Sequence, residues 1–143
     1  MIRIVDPKKG PMYEDYLYLR WLLLREPLGG ERGSELDDME SVSYHRAIVS
    51  KDNDIIGVGR VHFRDSLAQI RYMGVKHSHS RMGYGTKLLH TLEKIVDKHG
   101  INKIFLNSRI NAIAFYQKNG YSKIKRVEPS FGDIIHYRME KIL

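Results

Sequence analysis

The first residues able to do chemistry are Ser80-Arg81-Met82-Gly83-Tyr84-Gly85-Thr86. Two glycines separated by one residue sit where a polar loop becomes an amphipathic helix. Backbone N–H groups can therefore approach an anion with no Cβ atom in the way. Leu88, Leu89, Leu92, Ile95 and Val96 recur behind them at helical spacing, and His99-Gly100 supplies the stop. The start of this helix turns its unpaired amides and the positive end of its dipole toward the loop, which makes the loop a phosphate cradle. Neither the Gly-x-x-x-x-Gly-Lys-Ser/Thr pattern of nucleotide loops nor Gly-x-Gly-x-x-Gly with a downstream ribose-binding acid is present.

Acidic chemistry is concentrated between residues 31 and 40, where Glu31, Glu35, Asp37, Asp38 and Glu40 face one cation, Arg32, in a chain of net charge +7. This segment reads either as a solvated loop or as a docking surface for a cationic substrate, with Asp37 and Asp38 as its contacts. His136 and, in the acidic segment, Asp37, Asp38 or Glu40, and less strongly His45 and His62, are candidates for moving a proton. His77-x-His79 reads as a solvated pair, and no metal is expected. The absence of cysteine removes disulfides, thiolate metal sites and a cysteine acyl-enzyme, so an acyl group would pass directly between two bound substrates. Lys and Arg are dispersed, with no basic run, which suits attraction of a polyanionic cofactor better than nucleic-acid binding.

These residues need a scaffold, and the 143 residues are long enough to bury one sizeable core, so a single domain over 1–143 is expected. Ile2–Val5 reads as a strand, and a helix follows from Met12 to about Arg25 with Tyr13, Tyr16, Leu17, Trp21 and Leu24 on one face. Tyr44–Ser50, Ile55–Arg64 and Leu67–Val75 form an antiparallel meander. The helix after the glycine loop returns the chain to a strand at Lys103–Leu106 by a crossover that can be parallel. A helix at Arg109–Asn119 stops at Gly120, and a hairpin pairs Tyr121–Glu128 with Ile134–Ile142 through Pro129-Ser130-Phe131-Gly132-Asp133. The order implies a mixed α/β sheet. No apolar run reaches the ~20 residues of a membrane span and no signal-peptide pattern opens the chain, so a cytoplasmic protein without membrane partners is expected.

The glycine loop, entered from Met73-Gly74-Val75 and followed by a helix, resembles the acyl-CoA pyrophosphate loop of the GNAT superfamily of N-acetyltransferases, Gln/Arg-x-x-Gly-x-Gly/Ala. Ser80 stands where Gln or Arg is usual, with Arg81 beside it. A second and more specific signature of that family, Asn-x-x-Ala-x-x-Phe-Tyr-x-x-x-Gly-Phe/Tyr, is matched by Ala112, Phe115, Tyr116, Gly120 and Tyr121. Arg109 occupies its asparagine position, with Asn107 and Asn111 nearby. The resemblance runs from about Tyr16 to the C-terminus.

It implies a GNAT fold, largely antiparallel, with a central parallel pair of strands that splays to admit acetyl-CoA. The pyrophosphate would lie on the amides of Arg81, Met82, Gly83, Tyr84, Gly85 and Thr86, near Ser80, and the arm would run past Asn107 and Ala112. Backbone N–H groups of Met73, Gly74 and Val75 would face the thioester oxygen, and Tyr116 would protonate the departing thiolate. The implied activity is direct acetyl transfer from acetyl-CoA to a primary amine, small or peptidyl and expected to be cationic. The other function the residues admit is a catalytically silent acyl-CoA-binding or interaction module of the same fold. The expected partners are acetyl-CoA, the amine and, as an admitted further one, a second copy of the chain.

Overall fold

In the computed structural model, which describes every residue except Ser130, the strands form one sheet in the order β1-β2-β3-β4-β5-β7-β6. They are β1 (Ile2–Val5), β2 (Tyr44–Ser50), β3 (Ile55–Arg64), β4 (Leu67–Val75), β5 (Lys103–Arg109), β6 (Ser122–Val127) and β7 (His136–Ile142). The helices are α1 (Tyr13–Leu24), α2 (Tyr84–Lys98) and α3 (Ile113–Lys118). All neighbouring strands are antiparallel except β4 and β5, which are parallel. This is the mixed α/β architecture expected from the element order.

The period-2 alternation of the strands distributes side chains to two helical layers. Ala47, Val49 and Val58 pack under Tyr16, Leu17 and Leu19 of α1. The intervening Ile48 and Ile56 turn the other way, to Leu88 of α2. Val61, Ala68, Ile70, Ile104 and Leu106 extend that second layer beneath Leu89, Leu92, Ile95 and Val96, with Tyr116 of α3 closing its end. With helices on both faces, β3 is buried from Ile55 through His62. Such double burial explains why a meander that reads as half-exposed by position holds hydrophobic residues on both sides. The outer strand β6 carries Lys123, Lys125 and Arg126 and is mostly exposed, which blunts the free edge of the sheet.

The feature that makes room for a site is the short reach of the parallel pair. β4 and β5 are in register only at Ala68–Ile104, Gln69–Phe105 and Ile70–Leu106. Beyond those residues β4 bends away. Its register against β3 slips between Val58 and Arg60, and Tyr72, opposite the slip, has φ +57°. A bulky residue in the left-handed region is costly, and extra residues on one strand re-aim whatever follows them.

Several boundaries differ from expectation. β5 continues to Arg109 because Arg109 itself is extended (φ −60°, ψ 148°), so the following helix is a 3-10 turn at Ile110–Ala112 and then α3. β7 starts at His136 rather than Ile134. Part of the expected terminal turn falls on Ser130, outside the described residues. Among the described residues no helix is long and apolar enough to cross a membrane.

Candidate active site

Where β4 and β5 part, a cavity of about 440 Å³ opens. Its lining includes Met73 and Tyr72 from β4, Asn107 from β5, Ala112 and Tyr116 from the α3 region, and His136 from β7. Six residues from three separate stretches of the chain thus share one space. The Lys76 N–H donates to Ile56 of β3 at 2.8 Å, so by strand alternation the Val75 amide turns to the opposite side, toward the gap. The same alternation turns the Gly74 amide toward β3. An added Cβ at Gly74 would meet Leu23 of α1 at 3.2 Å. Gly74 therefore serves the packing of α1, and the expectation that all three amides of Met73-Gly74-Val75 face the thioester is corrected on this point.

The glycine loop divides its two glycines between two jobs. Gly83 is the residue before α2, at φ +80°, with nothing within 4 Å of a would-be Cβ. It turns the chain into the helix, and Arg81 at φ +62° precedes it. Gly85, by contrast, would place a Cβ 3.3 Å from the ring of Phe115, so its smallness lets α2 approach α3. The Lys87 N–H reaches back to the Gly83 carbonyl at 3.1 Å. The amides before Lys87 therefore lie ahead of the helical ladder and present donors. Arg81 and Met82 are exposed. Ser80 Oγ donates to the His77 carbonyl at 2.8 Å, and Thr86 Oγ1 accepts from Asn119 Nδ2 at 3.4 Å. Tyr84 packs against the Ile48–Ile56–Leu88 cluster, which fixes the helix start.

Tyr116 is 8% exposed and lines the cavity. Burial alone pushes its pKa up, so it stands as a neutral phenol with a proton to give. His136 accompanies it in the lining. Its Nδ1 lies 2.7 Å from the Ile134 carbonyl. A carbonyl only accepts, so Nδ1 carries the hydrogen of the neutral ring and Nε2 keeps its lone pair. Burial, then the positive charges of Arg109, Arg25 and Arg71, lower the pKa of His136 and keep the ring neutral. His45 is excluded from such a role. Its Nδ1 is 2.9 Å from the Tyr16 hydroxyl and its Nε2 is 2.9 Å from the Glu40 carbonyl, inside the α1 layer.

The acidic segment is not the open docking surface considered above. Both carboxylate oxygens of Asp37 are held by Arg60, at 2.6 and 2.9 Å, and one also receives Arg71 at 2.7 Å. Glu40 takes Arg20 and Arg60 at 2.9 Å each, and Glu35 is buried with its carboxylate on the Gly33 amide. Asp38 is exposed and does not line the cavity. The segment supplies internal counterions to Arg20 and Arg60, both 0% exposed. A signal for this was present in the sequence. Arg20 interrupts the apolar run Tyr16–Leu24, and Arg60 sits inside an apolar strand. A cation buried at such positions requires a carboxylate, and residues 31–40 hold the chain's densest supply.

Sequence reasoning also passed over Arg25 at the end of α1 and Tyr72. Arg25 is 6% exposed and donates from Nε to the Ser34 carbonyl at 2.9 Å and from Nη1 to Leu24 at 3.1 Å. Arg109, expected beside the arm of the donor, sends Nη2 to the same Leu24 carbonyl at 2.8 Å. The Tyr72 ring gathers the guanidinium groups of Arg20, Arg25, Arg60 and Arg71 within 4.3–5.3 Å of its centroid. Among the described residues no group of His, Asp and Glu is arranged to hold a metal ion.

Comparison with known proteins agrees with this geometry. Residues 11–121 match the model of the Acetyltransferase (GNAT) family. Over 140 residues, 98% of this chain and 99% of the relative, the sequence is 26% identical to the uncharacterized N-acetyltransferase YjcF of Bacillus subtilis (strain 168). The fold is shared with a GNAT-family acetyltransferase from Staphylococcus aureus Mu50 (TM-score 0.81, 19% identity, 100% of this chain and 99% of that one). It is also shared with a GNAT family acetyltransferase from Elizabethkingia anophelis solved with acetyl-CoA bound (TM-score 0.72, 15% identity, 99% of this chain and 98% of that one). The family match spans most of the chain and contains the glycine loop, the parted strands and the α3 signature: this protein belongs to the GNAT family of acetyltransferases.

Proposed function

We propose that the protein moves an acetyl group from acetyl-CoA directly to a primary amine. The observation that carries this reading is the gap beyond Ile70 and Leu106, which is lined by Tyr72 and Met73 on one strand and closed by a buried phenol, Tyr116, at its end. The residues fit the donor: the open amides at the start of α2 and the uncrowded Gly83 suit a pyrophosphate, and Asn107 and Ala112 border the path of its arm. The acetyl thioester supplies the activated carbonyl.

Each remaining step belongs to a residue of the chain. An ammonium acceptor, with an ordinary pKa near ~10.4 for a lysine-like amine, must lose a proton before its lone pair can attack. His136 Nε2 is the neutral acceptor for that proton. The Val75 N–H faces the charge that grows on the carbonyl oxygen as the C–N bond forms. Tyr116 gives its proton to sulfur as the C–S bond breaks, and recovers one from the proton released at nitrogen.

Release of CoA thiol, followed with a thiol-reactive dye over a panel of amines, tests the reading without background, because the chain has no cysteine. Tyr116→Phe keeps the ring and removes the proton, so kcat should fall about 10²–10⁴-fold with little change in acetyl-CoA affinity. A rate within threefold of the parent would reduce Tyr116 to packing. Acetyl-CoA binding without thiol release for any amine would instead favour a silent acyl-CoA-binding module.

A further inference from the structure

The cavity is cationic in a way that neither the family signatures nor the transfer chemistry requires. Among the described residues, Arg25, Arg64, Arg71, Arg109 and Arg138 line it against a single acid, Glu128. Two of the five have carboxylate partners elsewhere, Arg71 on Asp37 and Arg138 on Glu140. Arg25 and Arg109 have none within 4.0 Å among the described residues. Both donate to one carbonyl oxygen, Leu24, so the two bonded nitrogens lie within about 6 Å of each other. The last carbonyls of α1 offer them the negative end of a helix dipole, roughly half a charge to set against two. A guanidinium does not shed its proton, so the imbalance persists at neutral pH.

The donor's pyrophosphate does not account for this pair. None of Arg81 to Thr86 lines the cavity; the cradle at the start of α2 is a separate place. Arg25 and Arg109 stand instead with His136 and Tyr116, where an acceptor must present its nitrogen.

We propose that the acceptor amine carries an oxyanion, a carboxylate or a phosphate, and that Arg25 and Arg109 hold it. The proposal rests on the acyl-transfer reading above and specifies the substrate class of that site. Fixed guanidinium forks match planar carboxylate and phosphate oxygens, and an anion between the two arginines relieves their mutual repulsion while leaving the amine near His136. The cavity volume suits a small molecule.

Matched amines test it: 3-aminopropanol, 1,3-diaminopropane, 3-aminopropanoate and O-phosphoethanolamine, each with acetyl-CoA and thiol detection. The anionic pair should exceed the other two in kcat/KM by about tenfold or more, and the stronger of the pair identifies carboxylate or phosphate. Arg109→Gln should raise KM for the anionic amines by a similar factor and leave KM for acetyl-CoA and 3-aminopropanol within twofold. Arg109→Lys should recover part of the loss. Calorimetric binding of the anionic amines without acetyl-CoA, weakened in Arg109→Gln, keeps this inference separable from the activity itself. Turnover with equal preference for all four amines would overturn the substrate class and leave the transferase standing. Equal losses on every amine would make Arg109 structural, and a preference that appears with succinyl-CoA instead would move the anion to the donor; either result overturns the proposal.

Discussion

Two pairs of arginines are treated in opposite ways, although Arg20, Arg60 and Arg25 all lie over the ring of Tyr72. On the α1 side, Arg20 and Arg60 are fully buried and have their charges paired with carboxylates: Glu40 bridges both, Asp37 forks onto Arg60, and Arg20 adds the Tyr16 hydroxyl and the Glu35 carbonyl, while the Nε of each finds no partner among the described residues. On the cavity side, Arg25 and Arg109 share a carbonyl and have no acid within 4.0 Å among the described residues. The same side chain, contributed on both sides by α1 or its end and by a strand, is thus a structural cation paired with carboxylates in one place and a cation without one in the other. Buried charge is tolerated when it is paired, and an unpaired cluster in a cleft marks a place where a ligand completes the set.

The largest expected effect breaks the paired side. Glu40→Ala removes the acceptor shared by Arg20 and Arg60 and also the partner of the Asp37 amide. Stability should fall by about 3–5 kcal/mol, because the arginines remain buried without it. Arg109→Gln removes a cation that has no acid to orphan, and should stay within about 1 kcal/mol of the parent. Urea unfolding of both variants measures the contrast. A Glu40→Ala loss no larger than that of Arg109→Gln would mean the two clusters are equivalent.

A smaller effect sharpens the same side. His62 is 1% exposed, its Nδ1 lies 3.2 Å from Arg60 Nη2, and its Nε2 has no partner among the described residues. Burial first, then the charges of Arg60 and Arg64, push its pKa down to about 4. A group with a depressed folded pKa contributes stability that is complete above its unfolded value, ~6.5, and is lost as pH falls toward the folded one. Between pH 7 and 4.5 the parent should lose about 1–3 kcal/mol more than His62→Gln. Parallel pH profiles for the two proteins would show that His62 titrates freely.

How much of this could be read in advance follows from the range of the interactions. β1 to β4 have the expected limits because period-2 patterns and short turns are local signals. The end of β5 was misplaced by three residues, since Arg109 continues a strand that Asn107 and Ser108 had interrupted as an apolar pattern. The glycine loop was legible as a helix start, but the task of Gly85 was not, because Phe115 comes from thirty residues away in the chain. Asp37 reads from sequence as either solvated or a substrate contact because its partners, Arg60 and Arg71, lie on strands that only the register brings beside it. The cationic cavity was illegible for the same reason: Arg25 ends a helix, Arg109 ends a strand, and only the third dimension joins them on one carbonyl oxygen.

The smallest effect tests whether the unpaired cluster tunes the chemistry. His136 is held below its usual pKa by burial and next by Arg109, with Arg25 and Arg71 behind. Removing a neighbouring positive charge favours the imidazolium, so Arg109→Gln should raise the pKa of His136. A base must be neutral to accept a proton, and the acid limb of kcat/KM, read with 3-aminopropanol so that anion binding does not enter, should therefore move to higher pH. Arg109→Lys retains the charge and should hold the limb where the parent has it. Ring NMR signals of His136 report the same titration directly. If those signals shift upward in Arg109→Gln while the acid limb of activity stays fixed, the proton leaves the acceptor by another route and His136 is only a wall of the cavity.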